Sequence, residues 1–273
     1  MQGELAQLIS LTSFGNEYLR SGELPLFYYP EHSTFKYCRV VDFHVLQGNG
    51  TSGSNELVWA ENPLQWFQKL KQEGCTGLRL FYQPADAHPL AQEHQLVGFV
   101  GGGGRWLIEA IINNHAQYWL KRWELTNKQD PENKIWSVHY LRVEEKANIV
   151  DQQFDVDEVK KDFEQVLGQL IHFCQQQQLP QWKSVFENGK IILTGSLAQQ
   201  VHQDIDLLVT KNYSSSAQEL LAAINVSWVF GGMGSWNDIS FEEASVQKQY
   251  DDLSGRLYAL MMKGIVAAVN DNT

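Results

Sequence analysis

Residues 118–143 read YWLKRWELTNKQDPENKIWSVHYLRV, and the reading of this stretch decides the fold. Two runs, Tyr118–Leu125 and Ile135–Val143, are rich in aromatic and β-branched residues and are joined by turn residues. That pattern predicts neighbouring strands of an antiparallel meander. Side chains alternate along a strand, so Trp119 and Trp123 share one face, as do Trp136 and Tyr140 on the next. The pattern predicts a cross-strand aromatic ladder packed under a helix. The alternative is an aromatic ligand platform with Lys121 or Arg142 beside it.

Working outward, Arg105–Ile112 and Leu96–Val100 extend the meander toward the N-terminus, with Gly101–Gly104 between them as a hairpin turn or sharp bend. Residues 1–21 carry Leu5, Leu8, Ile9 and Leu11 at helical spacing, and Gly22 with Pro25 ends that helix. Tyr37–Leu46 reads as a strand, and Gly48–Ser54 as a flexible loop. Asn62-Pro63 then starts a helix that Gly74 stops, before a strand at Leu78–Tyr82. Beyond residue 150 the period changes to 3.6. Val156, Val159, Phe163, Val166, Leu167, Leu170 and Cys174 form one helical stripe that Pro180 ends, and Leu253 to Ile265 form another. The expectation is an α+β protein, with residues 1–150 an antiparallel-sheet domain and residues 151–273 a mainly helical domain carrying a glycine-rich loop.

The net charge is −11, and after residue 150 there are 16 acidic against 8 basic side chains. Such a surface repels nucleic-acid phosphates, which excludes a non-specific nucleic-acid binder. No apolar run is long enough to span a membrane, and the first residues lack a signal-peptide pattern. The three cysteines are far apart and form neither a disulfide framework nor a zinc motif. These features predict a cytoplasmic protein with no membrane association. The eight histidines show no spacing that predicts paired metal ligands, so no metal site is expected from them.

One motif points to chemistry. Ile191–Val209, IILTGSLAQQVHQDIDLLV, runs from an apolar strand into Gly195-Ser196 and then Asp204-x-Asp206. It resembles the nucleotidyltransferase superfamily signature. The resemblance implies Mg²⁺ held by Asp204 and Asp206 from one strand face, phosphate contacts at Gly195 and Ser196, and Asp238 as third carboxylate. The residues also support another reading. Ser196 with Gln199 makes a capping box, and Leu197, Val201, Ile205 and Leu208 then share one helical face, on which the two aspartates diverge.

Val229–Phe241, VFGGMGSWNDISF, is the remaining feature. No helix start follows its glycines, so it is not a dinucleotide loop. It predicts a strand over 226–230, a bend with at least one glycine at positive φ, and a polar pair of which Asp238 or Asn237 accepts a backbone N–H. Trp236 and Asn237 are candidate ligand contacts if the bend is exposed. The segment is similar to the C-terminal end of uncharacterised bacterial proteins, which implies no activity. The expected function is binding, most directly to another protein in an immunity-like or adaptor role, without a cofactor. The alternative is a Mg²⁺-dependent nucleotidyltransferase.

Overall fold

The strand-forming runs pair into one mostly antiparallel sheet. This computed structural model describes residues 3–47, 55–85, 93–96, 103–113, 115–143, 152–195, 201 and 206–271. The strands are β1 (Cys38–Gln47), β2 (Asn55–Ala60), β3 (Cys75–Gln83), β4 (Arg105–Ile112), β5 (His115–Leu125) and β6 (Trp136–Val143). Their spatial order is β2-β1-β6-β5-β4-β3. Every neighbouring pair is antiparallel except β1 and β6, which run parallel.

Helices α1 (Gly3–Ser21) and α2 (Pro63–Gln72) cover one face. The start of α2 is built as expected: Pro63 occupies the first turn, and Asn62 Oδ1 accepts from Gln65 N at 3.0 Å. Its stop is Gly74, and that of α1 is Gly22, both at positive φ. Register places Phe43, Tyr140, Trp119 and Ile108 on the covered face. Trp66 of α2 stacks on Phe43 at 4.3 Å and meets Trp119 edge-on at 5.5 Å. From α1, Gln7 accepts a hydrogen bond from the Tyr140 hydroxyl at 2.8 Å. The aromatics of the meander are therefore core, as alternation predicts, with Trp123 and Trp136 half-buried at its margin.

The C-terminal half is helical: α4 (Val156–Gln176) follows a short α3 (Glu93–Leu96), and α5 (Pro180–Ile192), α6 (Ser215–Val226) and α7 (Ala244–Asn270) complete it. Three local expectations are corrected. Pro180 opens a helix as well as closing one, because its missing N–H costs nothing in a first turn. Ile191 and Ile192 consequently end α5 and are not a strand. The run at 226–230 is the end of α6 followed by non-strand backbone. The proposed domain boundary near residue 150 and residues 97–100 of the strand expected over Leu96–Val100 lie outside the described residues, and Leu96 itself ends α3. On either side of the boundary the buried side chains form one continuous cluster, from Leu5 to Val269.

The sheet and the helices are joined along β3, an edge strand. Asn16 of α1 bonds both Leu78 N (2.7 Å) and Leu78 O (2.9 Å). Asn270 of α7 does the same to Leu80 (2.8 and 2.9 Å), and Gln152 to Tyr82 (3.1 and 2.6 Å). Three side-chain amides thus replace a seventh strand, which removes the free backbone groups that invite edge pairing. Asn270→Ala should cost about 1–3 kcal/mol, since two part-buried backbone groups lose their partners. Chemical denaturation would measure it, and a cost below about 0.5 kcal/mol would mean that water satisfies Leu80 equally well.

Candidate functional site

The residues expected to carry chemistry are placed in three different settings. Ser196 and Asp204 lie outside the described residues. Asp206 has φ 43, so it belongs to neither a right-handed helix nor a strand. The amphipathic helix expected over 197–209 therefore does not reach Leu208. Asp206 is held instead by the neighbourhood of α1: its carboxylate accepts from Ser33 Oγ at 2.6 Å, and its backbone carbonyl meets His32 Nε2 at 2.9 Å. Val209 N, bonded to Ser13 Oγ, and Lys211 and Asn212, both bonded to Glu17, continue the strap. Gly195 sits at φ 84, and a Cβ there would stand 2.6 Å from a Glu219 oxygen. Glu219 is itself paired with Lys160.

The glycine bend behaves as its residue types predict. Gly234 takes φ 82, and its N–H donates to Asp238 Oδ2. Trp236 is fully buried, and its indole N–H donates to Ser254 Oγ at 2.7 Å. Asn237 is tied to another element: its Nδ2 donates to His94 O at 2.9 Å. Trp236 is therefore a packed residue and not an exposed ligand contact. Met233, at the tip of the bend, is wholly exposed.

Through His94 the bend braces one wall of a cavity of about 410 Å³. Its floor is the face of α7 bearing Gly255, Tyr258, Ala259, Met262 and Val266, and its walls are Tyr82, Pro84, Glu93, His94, Gln152 and Phe154. Most of this lining is apolar. The polar exception is a node at the end of β3, where the Tyr82 hydroxyl donates to Glu93, accepts from Gly104 N at 3.2 Å and lies 3.2 Å from the Tyr258 hydroxyl. Burial raises the pKa of Tyr82, and the neighbouring Tyr258 and Glu93 add to it. Burial likewise pushes Tyr258 to about 12, so both phenols stay protonated donors at neutral pH. His94 is lowered by burial, against an opposing pull from Asp251, which keeps its ring neutral there. Lys263 stands at the rim over the Phe154 ring, 5.3 Å from its centroid.

A second constellation lies on the sheet face opposite α1 and α2. Asp42 and His44 are two apart on β1, and the parallel register sets His139 of β6 beside Asp42. Asp42 Oδ1 is 2.7 Å from His44 Nε2 and 2.6 Å from His139 Nδ1. Among the described residues this is the group of His, Cys, Asp and Glu side chains close enough to share a metal ion. The sequence reading missed it because Asp42 and His139 are 97 residues apart and only the register of two strands joins them. The alternation D-x-H in a strand was the one local signal. Comparison with known protein families, curated proteins and solved structures returns no match.

Proposed function

We propose that the protein is a binding protein whose α7 cavity takes a small, mostly apolar molecule with one polar head. The observation that carries this reading is the cavity itself: concave, apolar, within the usual size range of ligand sites, and equipped with few convergent polar groups. Tyr258 and Tyr82 supply hydroxyls at its inner end. Lys263 supplies a cation at the rim and has no carboxylate partner among the described residues. An aromatic or aliphatic acid matches that distribution. The test is titration with anilinonaphthalene sulfonate and with medium-chain fatty acids. Ala259→Phe, which fills the cavity from the exposed side of α7, should abolish saturable binding. Lys263→Met should weaken the acids by roughly tenfold, the loss of one charge-assisted contact. Equal binding by Ala259→Phe and the parent chain would sink the cavity reading.

A protein-docking role is supported by a separate observation. The bend at 231–235 is cross-braced by Ser235 Oγ to Gly231 O (3.1 Å) and Ser235 N to Gly232 O (3.1 Å), yet it presents Met233 entirely to solvent. A rigid loop with an apolar tip loses little entropy on docking. Met233→Ser should therefore change stability by less than about 0.5 kcal/mol. A photo-crosslinking residue at position 233 should label a protein partner that the same residue at exposed position 172 does not. Identical labelling from both positions would remove the support.

A further inference from the structure

We propose that Asp42, His44 and His139 form a binding site for a divalent first-row transition ion, with zinc the first to test. Two imidazoles and one carboxylate are a donor set that selects zinc, cobalt, nickel or iron over magnesium and calcium, which take oxygen ligands. The three side chains are 12–16% exposed, so the cluster is sheltered but reachable from solvent. Strand geometry presents all of them to one side. β1 contributes positions two apart, and β6 supplies the third ligand through direct pairing of Asp42 with His139.

The surroundings of His44 point the same way. Its Nδ1 is buried without a hydrogen bond among the described residues, although Glu56 Oε1 lies 3.0 Å from it. A neutral imidazole carries one ring proton. In the tautomer protonated at Nε2, that proton is donated to Asp42 Oδ1, 2.7 Å away. When Nε2 gives its lone pair to a metal, the proton moves to Nδ1, and a small turn of the ring would bring Glu56 Oε1, 3.0 Å away but out of line, into position to accept a hydrogen bond from it. A carboxylate on the far nitrogen of a ligating histidine fixes the tautomer and raises the basicity of the ligand. Glu56 is fixed in turn by both terminal nitrogens of Arg122, at 2.9 and 3.1 Å. Arg122 also pairs with Glu124 through Nε at 3.0 Å. A cation bound at Nε2 would thus give the orphaned nitrogen a proton to donate and a carboxylate, already held by Arg122, close by to take it. The donor atoms now touching by hydrogen bonds must separate to about 3.3 Å, the ligand–ligand distance that a tetrahedral ion with 2.0 Å bonds imposes. Three protein ligands leave the fourth position to water or a ligand group.

The test uses the full chain without a polyhistidine tag, stripped with a chelator and dialysed. Calorimetric titration with zinc chloride should show one saturable site. Cobalt(II) should give the visible absorption of a nitrogen-ligated, low-coordinate ion. Asp42→Asn and His139→Gln should each weaken zinc at least tenfold. Glu56→Gln, a positioning change, should weaken it by about 10–100-fold, and His172→Gln should leave it unaltered. If a ligand variant fails to fold, the cobalt spectrum of the intact chain decides on its own. No saturable binding by the intact chain, or the same affinity in Asp42→Asn and His139→Gln as in the parent, overturns the proposal. In that event the two rings are only hydrogen-bonded partners of Asp42.

Discussion

Trp236→Ala should lower the stability of the fold by about 3–5 kcal/mol, the range for truncating a fully buried large aromatic. The indole is completely enclosed, and its ring is met by Tyr250 at 5.1 Å, Phe186 at 5.3 Å and Trp182 at 5.5 Å. These rings come from α7 and α5, so the cavity left by alanine would open where two helices and the bend converge. Neither helix can close it alone, because each is held by its own packing elsewhere. The loss also strips Ser254 Oγ of the indole N–H donor. The Trp236 carbonyl, which accepts from the Tyr250 hydroxyl, has to be held by a slacker bend. Trp236→Phe should recover about half of the loss, since it restores most of the ring volume but not the hydrogen bond. Equilibrium denaturation in urea measures all three proteins. A cost below 1 kcal/mol for alanine would show that the bend is not anchored by this residue.

The bend illustrates how much of this molecule was legible beforehand. Three glycines and a short polar pair dictate local geometry, and local geometry is what a sequence window contains. That one of the glycines takes positive φ and that one of the polar pair accepts a backbone N–H followed from residue type; that these are Gly234 and Asp238 is read from the structure. The strands of the meander were legible for the same reason, since aromatic and β-branched residues define a pleated surface within eight or so positions. What a window does not contain is register between distant strands. The parallel pairing of β1 with β6 brings Asp42 and His139 together, and the amide caps on β3 come from α1, α7 and the segment before α4. Ile191-Ile-Leu193 was misread because a short apolar run fits a buried strand or a helix end equally well. Its placement was decided by Pro180, eleven residues earlier, and by the packing of α5 against α4. Asp206 escaped both the strand and the helix reading because Ser33 and His32 grip it from across the chain.

The second large effect is expected at Trp119. Trp119→Ala should cost about 3–5 kcal/mol, and Trp123→Ala distinctly less, although both residues share one face of β5. Trp119 is fully buried, against Trp66 at 5.5 Å, Phe43 at 5.8 Å and Trp59 at 5.4 Å, in the space between the sheet and α2. Trp123 is only half-buried and has Trp136 as its aromatic neighbour, at 5.7 Å, where the strand leaves the cover of the helices. A cavity at 119 is walled by backbone on one side and rings on the other, so it stays open. A gap at 123 admits water. One further detail makes the phenylalanine variant informative. The Trp119 N–H is buried with no hydrogen-bond partner among the described residues, and such a group costs about 1–3 kcal/mol in desolvation. Trp119→Phe removes that unpaired donor while vacating only part of the ring volume. The two changes oppose each other, and the net cost should fall below about 1.5 kcal/mol, the usual limit for tolerated core swaps. Thermal and chemical unfolding of the three variants would separate the terms. If Phe at 119 costs as much as Ala, the indole N–H has a partner in solution, and the apolar account of this layer of the core is wrong.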